Sequence, residues 1–265
     1  MDAADLWGTF AEHARRVRTG GLAPARASGH GWFAVLTGEP HPDLNECVLT
    51  SRARAEDAAE LVAFLADAGV PALISVASTA GPEVTDPLAA AGFVPAPVCE
   101  PLMWCATRPP RQTSGLRVEP MRSTPTRDDA VAIVAGAHMM APETADRTLA
   151  PLAALGDGVV AWLAYEGDDA ISVVWATPGP RIGIWSMMTP PAHRRKGGGR
   201  AVLTCALEEL WGADTEGAFL FSTPAGRPFY ESVGFTTVDD ATTWTSGASD
   251  EFLAAIGQPT TVADP

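Results

Sequence analysis

The stretch Arg194-Arg195-Lys196-Gly197-Gly198-Gly199-Arg200 is a glycine-rich basic turn between two regular segments. The apolar run 182–188 before it has the composition of a strand, and the run 201–211 after it has the spacing of a helix. The first turn of a helix has backbone N–H groups without intrahelical partners, and the helix dipole adds positive charge there. Because glycine lets such a backbone approach a bulky anion, the stretch predicts a phosphate site.

Glycine spacing separates three kinds of phosphate loop. A P-loop needs G-x-x-x-x-G-K followed by Ser or Thr, a pattern that the chain lacks. The dinucleotide fingerprint G-x-G-x-x-G would need a third glycine where the chain has Val202. The third pattern, Arg or Gln-x-x-Gly-x-Gly or Ala, fits Arg194, Gly197 and Gly199. With this pattern the run resembles the acyl-CoA loop of the GCN5-related N-acetyltransferase (GNAT) family. A glycine-rich hinge with solvated basic residues is the alternative.

The resemblance extends to Phe229-Tyr230-Glu231-Ser232-Val233-Gly234-Phe235, which is similar to the family's Y-x-x-x-G-F segment. It implies that Tyr230 acts as a general acid for the leaving thiolate; a packing tyrosine at a helix–strand corner is the alternative. It also implies that the strand edge before the loop offers a main-chain oxyanion donor and pairs with the pantetheine arm. The cofactor-binding residues implied in this way are Met187, Met188, Thr189, Arg194, Arg195, Lys196, Gly197, Gly198, Gly199, Arg200 and Thr223.

The general base is not defined by the sequence. Some members of the family place a Glu on the strand before the loop, but residues 182–189 contain neither a carboxylate nor a histidine. His138 and Glu143 are candidates, because the first helix pair lines the acceptor site in relatives. A half-buried helix residue is the alternative for His138, and a first-turn carboxylate favoured by the helix dipole is the alternative for Glu143. A water chain without a dedicated base is a further possibility.

Composition limits the partners. The net charge of −14 argues against nucleic acid and is compatible with an amine acceptor, although an acidic surface also serves solubility. Cys47, Cys99, Cys105 and Cys205 show no C-x-x-C spacing, and we expect no metal. The chain has no apolar run of membrane-spanning length and no apolar segment of the signal-peptide kind at its acidic start, so we expect a cytoplasmic protein that acts without a membrane.

The order of elements predicts the fold class, a mixed α/β (α+β) fold with a central sheet flanked by helices. Over residues 115–246 the order β-α-α-β-β-β-α-β-α-β matches the GNAT fold. The first half echoes the second, since a short helix ends in Gly-Phe before a strand at Gly92 and again at Gly234. We therefore expect two tandem GNAT-like domains, a degenerate one at 1–108 and a catalytic one at 115–265, with a linker at 109–114. An unrelated α/β extension is the alternative for the first half.

The first half should not bind the cofactor, because its strand-to-helix turn at 51–56 has no glycine. A duplicated fold should nevertheless keep a splayed strand pair within residues 30–106. The resemblance implies transfer of an acetyl group from acetyl-CoA to a primary amine of a small molecule or peptide N-terminus, by direct attack in a ternary complex. A non-catalytic acyl-CoA sensor, an O-acyltransferase or an acyl-CoA decarboxylase on the same scaffold are alternatives, and the protein is expected to be a monomer or homodimer.

Overall fold

The computed structural model describes residues 1–18, 25–38, 42, 45–111, 115–138, 141–147 and 158–246. Its strands are β1 (Ala25–Ser28), β2 (Trp32–Leu36), β3 (Asn45–Leu49), β4 (Leu73–Val76), β5 (Val94–Cys105), β6 (Arg117–Pro120), β7 (Val160–Glu166), β8 (Asp169–Thr177), β9 (Arg181–Met188), β10 (Gly217–Phe221) and β11 (Thr236–Thr245). Its helices are α1 (Ala3–Arg18), α2 (Ala55–Ala68), α3 (Pro82–Ala90), α4 (Thr124–His138), α5 (142–147), α6 (Gly198–Leu210) and α7 (Arg227–Glu231). The predicted second helix of the pair, 142–155, lies partly outside the described residues.

All strands of the described residues form one mixed sheet in the order β1-β2-β3-β4-β11-β5-β10-β9-β8-β7-β6. Two parts of this sheet repeat the same pattern. In the first, the parallel strands β3 and β4 are joined by α2 and followed by α3 and β5. In the second, the parallel strands β9 and β10 are joined by α6 and followed by α7 and β11. This repeated order confirms the predicted fold class and its tandem character.

The two parts exchange their last strands. The long strand β5 of the first half pairs with β10 on one side and β11 on the other. The last strand of the second half, β11, is in turn inserted between β4 and β5. Each half therefore completes the sheet of the other. The strand pairs that connect the two halves, β4 with β11, β11 with β5 and β5 with β10, are all antiparallel. The boundaries at 108 and 115 stay a prediction, and residues 112–114 of the predicted linker lie outside the described residues.

Helix α1, which the sequence analysis did not predict, covers the middle of one face of the sheet. Its buried apolar residues recur at helical spacing and include Leu6, Trp7, Phe10, Ala14 and Val17. They share one core cluster with Phe33 of β2 and with Trp185 and Phe219 of β9 and β10. Because side chains alternate along strands, the other face packs against α2, α3 and α6. Helix α1 thus joins both halves from one side.

Two further features concern partners of the chain. Among the described residues, no helix has the length and apolar character needed to cross a membrane. In that same part of the chain, no three His, Cys, Asp or Glu side chains gather where they could hold a metal ion. The four cysteines are unpaired, and burial raises the pKa of the Cys47 and Cys105 thiols, which keeps them protonated.

Candidate active site

A cleft opens between β9 and β10. These parallel strands pair only where Gly217–Phe219 face Arg181–Gly183. Beyond this point, residues 184–188 of β9 and 220–221 of β10 have no ladder partner on their facing edges. Because both strands run in the same direction, the opening lies at their carboxyl ends, where the chain leaves β9 for the glycine-rich turn. Open α/β sheets bind ligands at such carboxyl edges.

A β-bulge shapes the β9 side of the cleft. Against β8, Trp185 pairs with Trp175 and Met188 with Val173, so that two residues of β9, Ser186 and Met187, face one residue of β8. Ser186 has a φ of 44°, a left-handed conformation that a serine rarely adopts. Bulges of this kind occur next to active sites, where they free backbone groups from the ladder. The sequence analysis missed this bulge; its one signal was a serine within the otherwise apolar run 182–188.

The residues just after the bulge are held by a buried serine of β8. Ser172 Oγ donates a hydrogen bond to the Met188 carbonyl over 2.9 Å and lies 2.8 Å from Thr189 Oγ1. Met187 and Met188 both belong to the edge predicted to pair with pantetheine. The Met188 carbonyl is already hydrogen-bonded to Ser172, whereas Met187 has no partner in the β8 ladder. The oxyanion donor predicted at this edge stays a prediction, with Ser186 and Met187 as the available backbone positions.

The predicted phosphate turn does open a helix. A single 3-10 turn at Pro191–His193 leads to Gly197, which has a φ of 85° and precedes α6. The first intrahelical bond of α6 runs from the Ala201 N–H to the Gly197 carbonyl over 3.0 Å. The N–H groups of residues 198–200 therefore begin the helix without intrahelical acceptors. They lie beside the end of β9, since a Cβ atom at Gly199 would be 3.5 Å from Met187 Cε.

The four basic side chains of the turn differ in the hydrogen bonds and ion pairs that they form. Lys196 Nζ forms an ion pair with Glu166 Oε2 at 2.5 Å, and Arg194 Nε donates to the Thr189 carbonyl over 3.3 Å. Arg200 donates to Ser232 Oγ over 2.5 Å and lies over the Phe229 ring, which ties α6 to α7. Arg195 makes no hydrogen bond or ion pair with the described residues. Three of the four cations thus shape the turn, and Arg195 with the free amides remains available to an anion.

Tyr230 lies on α7 with its ring buried between two phenylalanines. The ring centroids are 5.1 Å from Phe229 and 5.9 Å from Phe235, and the residue is 8% exposed. Its hydroxyl oxygen makes no hydrogen bond to the described residues. Burial raises the pKa of Tyr230, which keeps the phenol neutral and able to donate a hydrogen bond.

Three further residues predicted for the site, Thr223, Glu143 and His138, lie outside the β9 edge and the glycine-rich turn. Thr223 Oγ1 accepts the Gly226 N–H over 3.1 Å and so shapes the turn into α7, with the residue itself exposed. Glu143 is exposed in the first turn of α5 and makes no hydrogen bond or ion pair with the described residues. His138 is the last residue of α4, and its side chain lies outside the described part of the chain. The structure therefore brings the β9 edge, the turn and α6 together, and it leaves the general base undefined.

The first half differs from the second at the two features of the candidate site, which are the splayed strand pair and the helix N-terminus. Strand β4 pairs with β3 along its whole length, from Glu46–Leu73 to Leu49–Val76, so the prediction of a splayed pair within 30–106 is wrong. At the start of α2, the buried Asp57 carboxylate accepts the N–H groups of Gly31 and Arg54, each over 2.9 Å. Asp57 thus caps the residue before α2 and places a negative charge in the first turn of that helix, which disfavours an anion there. The duplication shows in the order of elements and not in a second cleft.

Comparison with known proteins agrees with this geometry. Residues 157–237 match the sequence profile of the acetyltransferase (GNAT) domain. A GCN5-related N-acetyltransferase from Kribbella flavida has a similar structure, with a TM-score of 0.67, 14% identity and coverage of 94% of this chain and 97% of that one. A tandem GNAT protein from the clavulanic acid biosynthesis pathway gives a TM-score of 0.59 at 14% identity, over 93% and 94% of the two chains. A search of curated proteins returned no match.

The profile match covers β7 to the start of β11, which includes the cleft, the glycine-rich turn and Tyr230. The structural matches cover nearly the whole chain, first half included. The chain therefore carries a GNAT acetyltransferase domain within a tandem GNAT fold. The second half carries the match to the GNAT domain, and the first half shares the fold.

Proposed function

We propose that this protein is an acetyl-CoA-dependent N-acetyltransferase whose single working site lies in the second half. The observation that carries the proposal is the opening of β9 and β10 directly beside the unpaired N-terminus of α6. An extended, amide-rich arm that ends in a pyrophosphate fits such a pair of features, because the strand edges offer backbone partners and the helix start offers N–H donors. At the corresponding α2 N-terminus, the buried Asp57 carboxylate places a negative charge in the first turn and bonds to the Gly31 and Arg54 N–H groups.

The residues of the turn fit coenzyme A on steric grounds as well. Gly197 has a left-handed φ of 85° and nothing lies within 4 Å of an added Cβ there, whereas a Cβ atom at Gly199 would make ordinary contacts with Met187 and Thr189. The amides of residues 195–200 and the Arg195 guanidinium would hold the pyrophosphate. The edge at Met187, Met188 and Thr189 would pair with the pantetheine arm. Bound acetyl-CoA supplies the acetyl group as a thioester.

The protein supplies position and hydrogen bonds. Backbone N–H groups at the Ser186–Met187 bulge are outside the β8 ladder and can donate to a carbonyl oxygen that gains charge. Tyr230 holds its proton at Oη, because burial raises its pKa, and it can donate that hydrogen to a departing sulfur. An amine acceptor must lose a proton, for which His138, Glu143 or a water chain stays a candidate. Holding both substrates in line supplies much of the rate.

A paired-glycine experiment tests the proposal. Gly199→Glu places a negative side chain at the start of α6, whereas Gly212→Glu places the same side chain just past its end, where nothing lies within 4 Å of an added Cβ. We expect calorimetry to show that Gly199→Glu weakens acetyl-CoA binding at least about tenfold, because one repelled charge at close range is worth roughly 1.4 kcal/mol or more. Gly212→Glu should bind like the wild type. Equal affinities in all three proteins would remove the cofactor assignment.

Acetyl transfer needs a second measurement. Release of free coenzyme A thiol in the presence of a library of primary amines should exceed release without an acceptor, and mass spectrometry should find the acetylated amine. Binding of acetyl-CoA without amine-dependent thiol release would contradict the transferase proposal and favour the acyl-CoA sensor.

A further inference from the structure

Asp239 of β11 is a buried carboxylate with only one of its oxygens engaged. The residue is 5% exposed, and its Oδ2 accepts the Trp7 indole N–H over 2.7 Å and the Ser78 N–H over 3.3 Å. Its Oδ1 makes no hydrogen bond or ion pair with the described residues. A buried carboxylate normally has a cation as its partner, and the described residues provide none.

A second β-bulge turns Asp239 toward the face of the sheet that α1 and α4 cover. Thr237 pairs with Met103 of β5 and Asp239 with the next residue, Leu102, so Val238 is the extra residue. Met103 belongs to the core beneath α6, and Leu102 belongs to the core beneath α1. Without the extra residue, strand alternation would place Asp239 on the α6 face together with Thr237. Bulges that re-aim a side chain in this way are typical of functional sites.

Asp239 lies in the same cross-strand row as the end of the cleft. Phe221, the last residue of β10, pairs with Leu102, and Leu102 pairs with Asp239. Two strand spacings separate Phe221 from Asp239, which is about 10 Å. The Trp7 ring bridges this distance, because its centroid is 5.2 Å from that of Phe221 while its N–H reaches Asp239. The carboxylate is therefore too far from the cleft to take a proton from the reacting nitrogen.

We propose that Asp239 binds a second cationic nitrogen of the acceptor, distal to the amine that is acetylated, so that the acceptor is a diamine or polyamine. This inference rests on the proposed N-acetyltransferase function and specifies its substrate class. An ammonium group at Oδ1 would provide the partner that the buried charge lacks, and Phe221 would border the apolar chain between the two nitrogens. The two N–H donors fix the carboxylate before the ligand arrives, which lowers the entropic cost of binding.

The test compares acceptors that differ by one charge. Binding of α,ω-diaminoalkanes of three to ten carbons, and of n-alkylamines of the same lengths, is measured by calorimetry on protein saturated with coenzyme A. We expect one length of diamine to bind roughly tenfold or more tightly than its monoamine, as for a charge-assisted hydrogen bond at a partly buried site. Equal affinities of the two series in the wild-type protein would overturn the proposal without any variant.

Two variants locate the effect. Asp239→Asn keeps an acceptor oxygen for Trp7 and removes the charge, so the diamine should fall to the affinity of its monoamine. Asp240→Asn is the matched control, because Asp240 is the adjacent carboxylate, is exposed and pairs with Arg227, so it should keep the preference. A preference that survives Asp239→Asn would assign Asp239 to the docking of α1 alone. If Asp239→Asn does not fold, Asp239→Glu provides the test. We expect Asp239→Glu to keep the preference for diamines, and loss of that preference would contradict the proposal.

The binding result and the transfer result are separable. Diamine preference in calorimetry without thiol release from acetyl-CoA would sink the proposed enzymatic function and leave the Asp239 site standing. Thiol release that is equal for diamines and monoamines, together with equal binding, would leave the enzymatic function standing and sink the Asp239 site.

Discussion

Gly197, Gly198 and Gly199 are adjacent, yet the structure constrains the three positions differently. Gly197 has a left-handed φ of 85°. At Gly198 an added Cβ would lie 3.0 Å from Ser172 Cβ and 3.2 Å from Ile171 Cδ1, so α6 packs directly on β8 there. At Gly199 the same atom would make only ordinary contacts. The motif predicted all three as cofactor residues, but their roles differ in the structure, because a sequence pattern does not distinguish packing from ligand access.

This difference predicts opposite changes in stability. Without ligand, Gly198→Ala should lower the free energy of unfolding by about 1–2 kcal/mol, because overpacking a tight contact outweighs the gain in helix propensity. Gly199→Ala should leave it unchanged or raise it by a few tenths of a kcal/mol. Urea denaturation of the two variants and the wild type measures both changes. Equal losses in the two variants would mean that Gly199 is also a packing position.

The Tyr230 hydroxyl can be tested apart from its ring. Tyr230→Phe keeps the contacts with Phe229 and Phe235 and removes only Oη, which makes no hydrogen bond to the described residues. We expect kcat to fall by about 10²-fold, as for the loss of a general acid, with acetyl-CoA affinity within about twofold of the wild type. The rate of thiol release gives kcat, and calorimetry gives the affinity for acetyl-CoA. A wild-type kcat in this variant would assign Tyr230 to packing alone.

At the scale of elements, the strands and helices next to strong local signals could be predicted, and those fixed by distant contacts could not. The hairpin turn between β7 and β8, the helix after the glycine-rich turn and the Gly69 end of α2 all follow from local composition, and the structure has them. Helix α1 was not predicted, although Leu6, Phe10, Ala14 and Val17 recur at helical spacing. Asp239 and Asp240 interrupt the alternation of β11, so local composition does not mark the first part of that strand.

Helix α1 docks on β8 through a buried histidine. The Arg16 guanidinium, which can only donate, lies 2.9 Å from His13 Nε2, so His13 carries its hydrogen on Nδ1 and donates it to Thr177 Oγ1 over 2.6 Å. The same hydroxyl oxygen accepts the Trp185 indole N–H over 2.9 Å. Burial, and secondarily the charge of Arg16, lowers the pKa of His13 to about 4. His13 is therefore neutral in the folded protein.

This arrangement predicts how stability depends on pH. Above pH 6.5, the ordinary pKa of histidine, both states are neutral at His13 and its contribution is complete. As the pH falls from about 6.5 to about 4, the unfolded chain takes up a proton that the folded chain refuses, so stability is lost across that window. In His13→Gln the free energy of unfolding should fall less steeply there than in the wild type. Parallel pH profiles from urea denaturation would contradict the assignment.

At the scale of the whole molecule, the exchange of last strands is what the sequence could not reveal. Each half has its own order of elements, and a domain division at 109–114 follows naturally from the proline-rich segment. The choice of neighbour in a sheet depends on contacts far apart in the chain, which local patterns do not contain. In the structure β5 supplies Leu102 and Trp104 to the core beneath α1, and Met103 and Cys105 to the core beneath α6.

The exchange makes the second half incomplete without the first. A fragment of residues 115–265 loses β5, so β10 and β11 lose the strand that joins them and α6 loses two buried neighbours. Because β4 is also absent, the fragment exposes both edges of β11 and one edge of β10, which could pair with other chains. We expect this fragment alone to aggregate or to unfold without a sharp transition, and the whole chain to unfold in one cooperative transition seen equally by circular dichroism and tryptophan fluorescence.

Co-production of residues 1–111 with residues 115–265 is the control for the missing strand. The first fragment brings β5 and α1, so the two pieces together should recover a cooperative transition and acetyl-CoA binding, whereas residues 1–91, which end before β5, should not rescue the second half. If the 115–265 fragment alone unfolded cooperatively and bound acetyl-CoA as tightly as the whole chain, the predicted boundary would mark a true autonomous domain. The strand exchange would then add contacts to a half that is already stable.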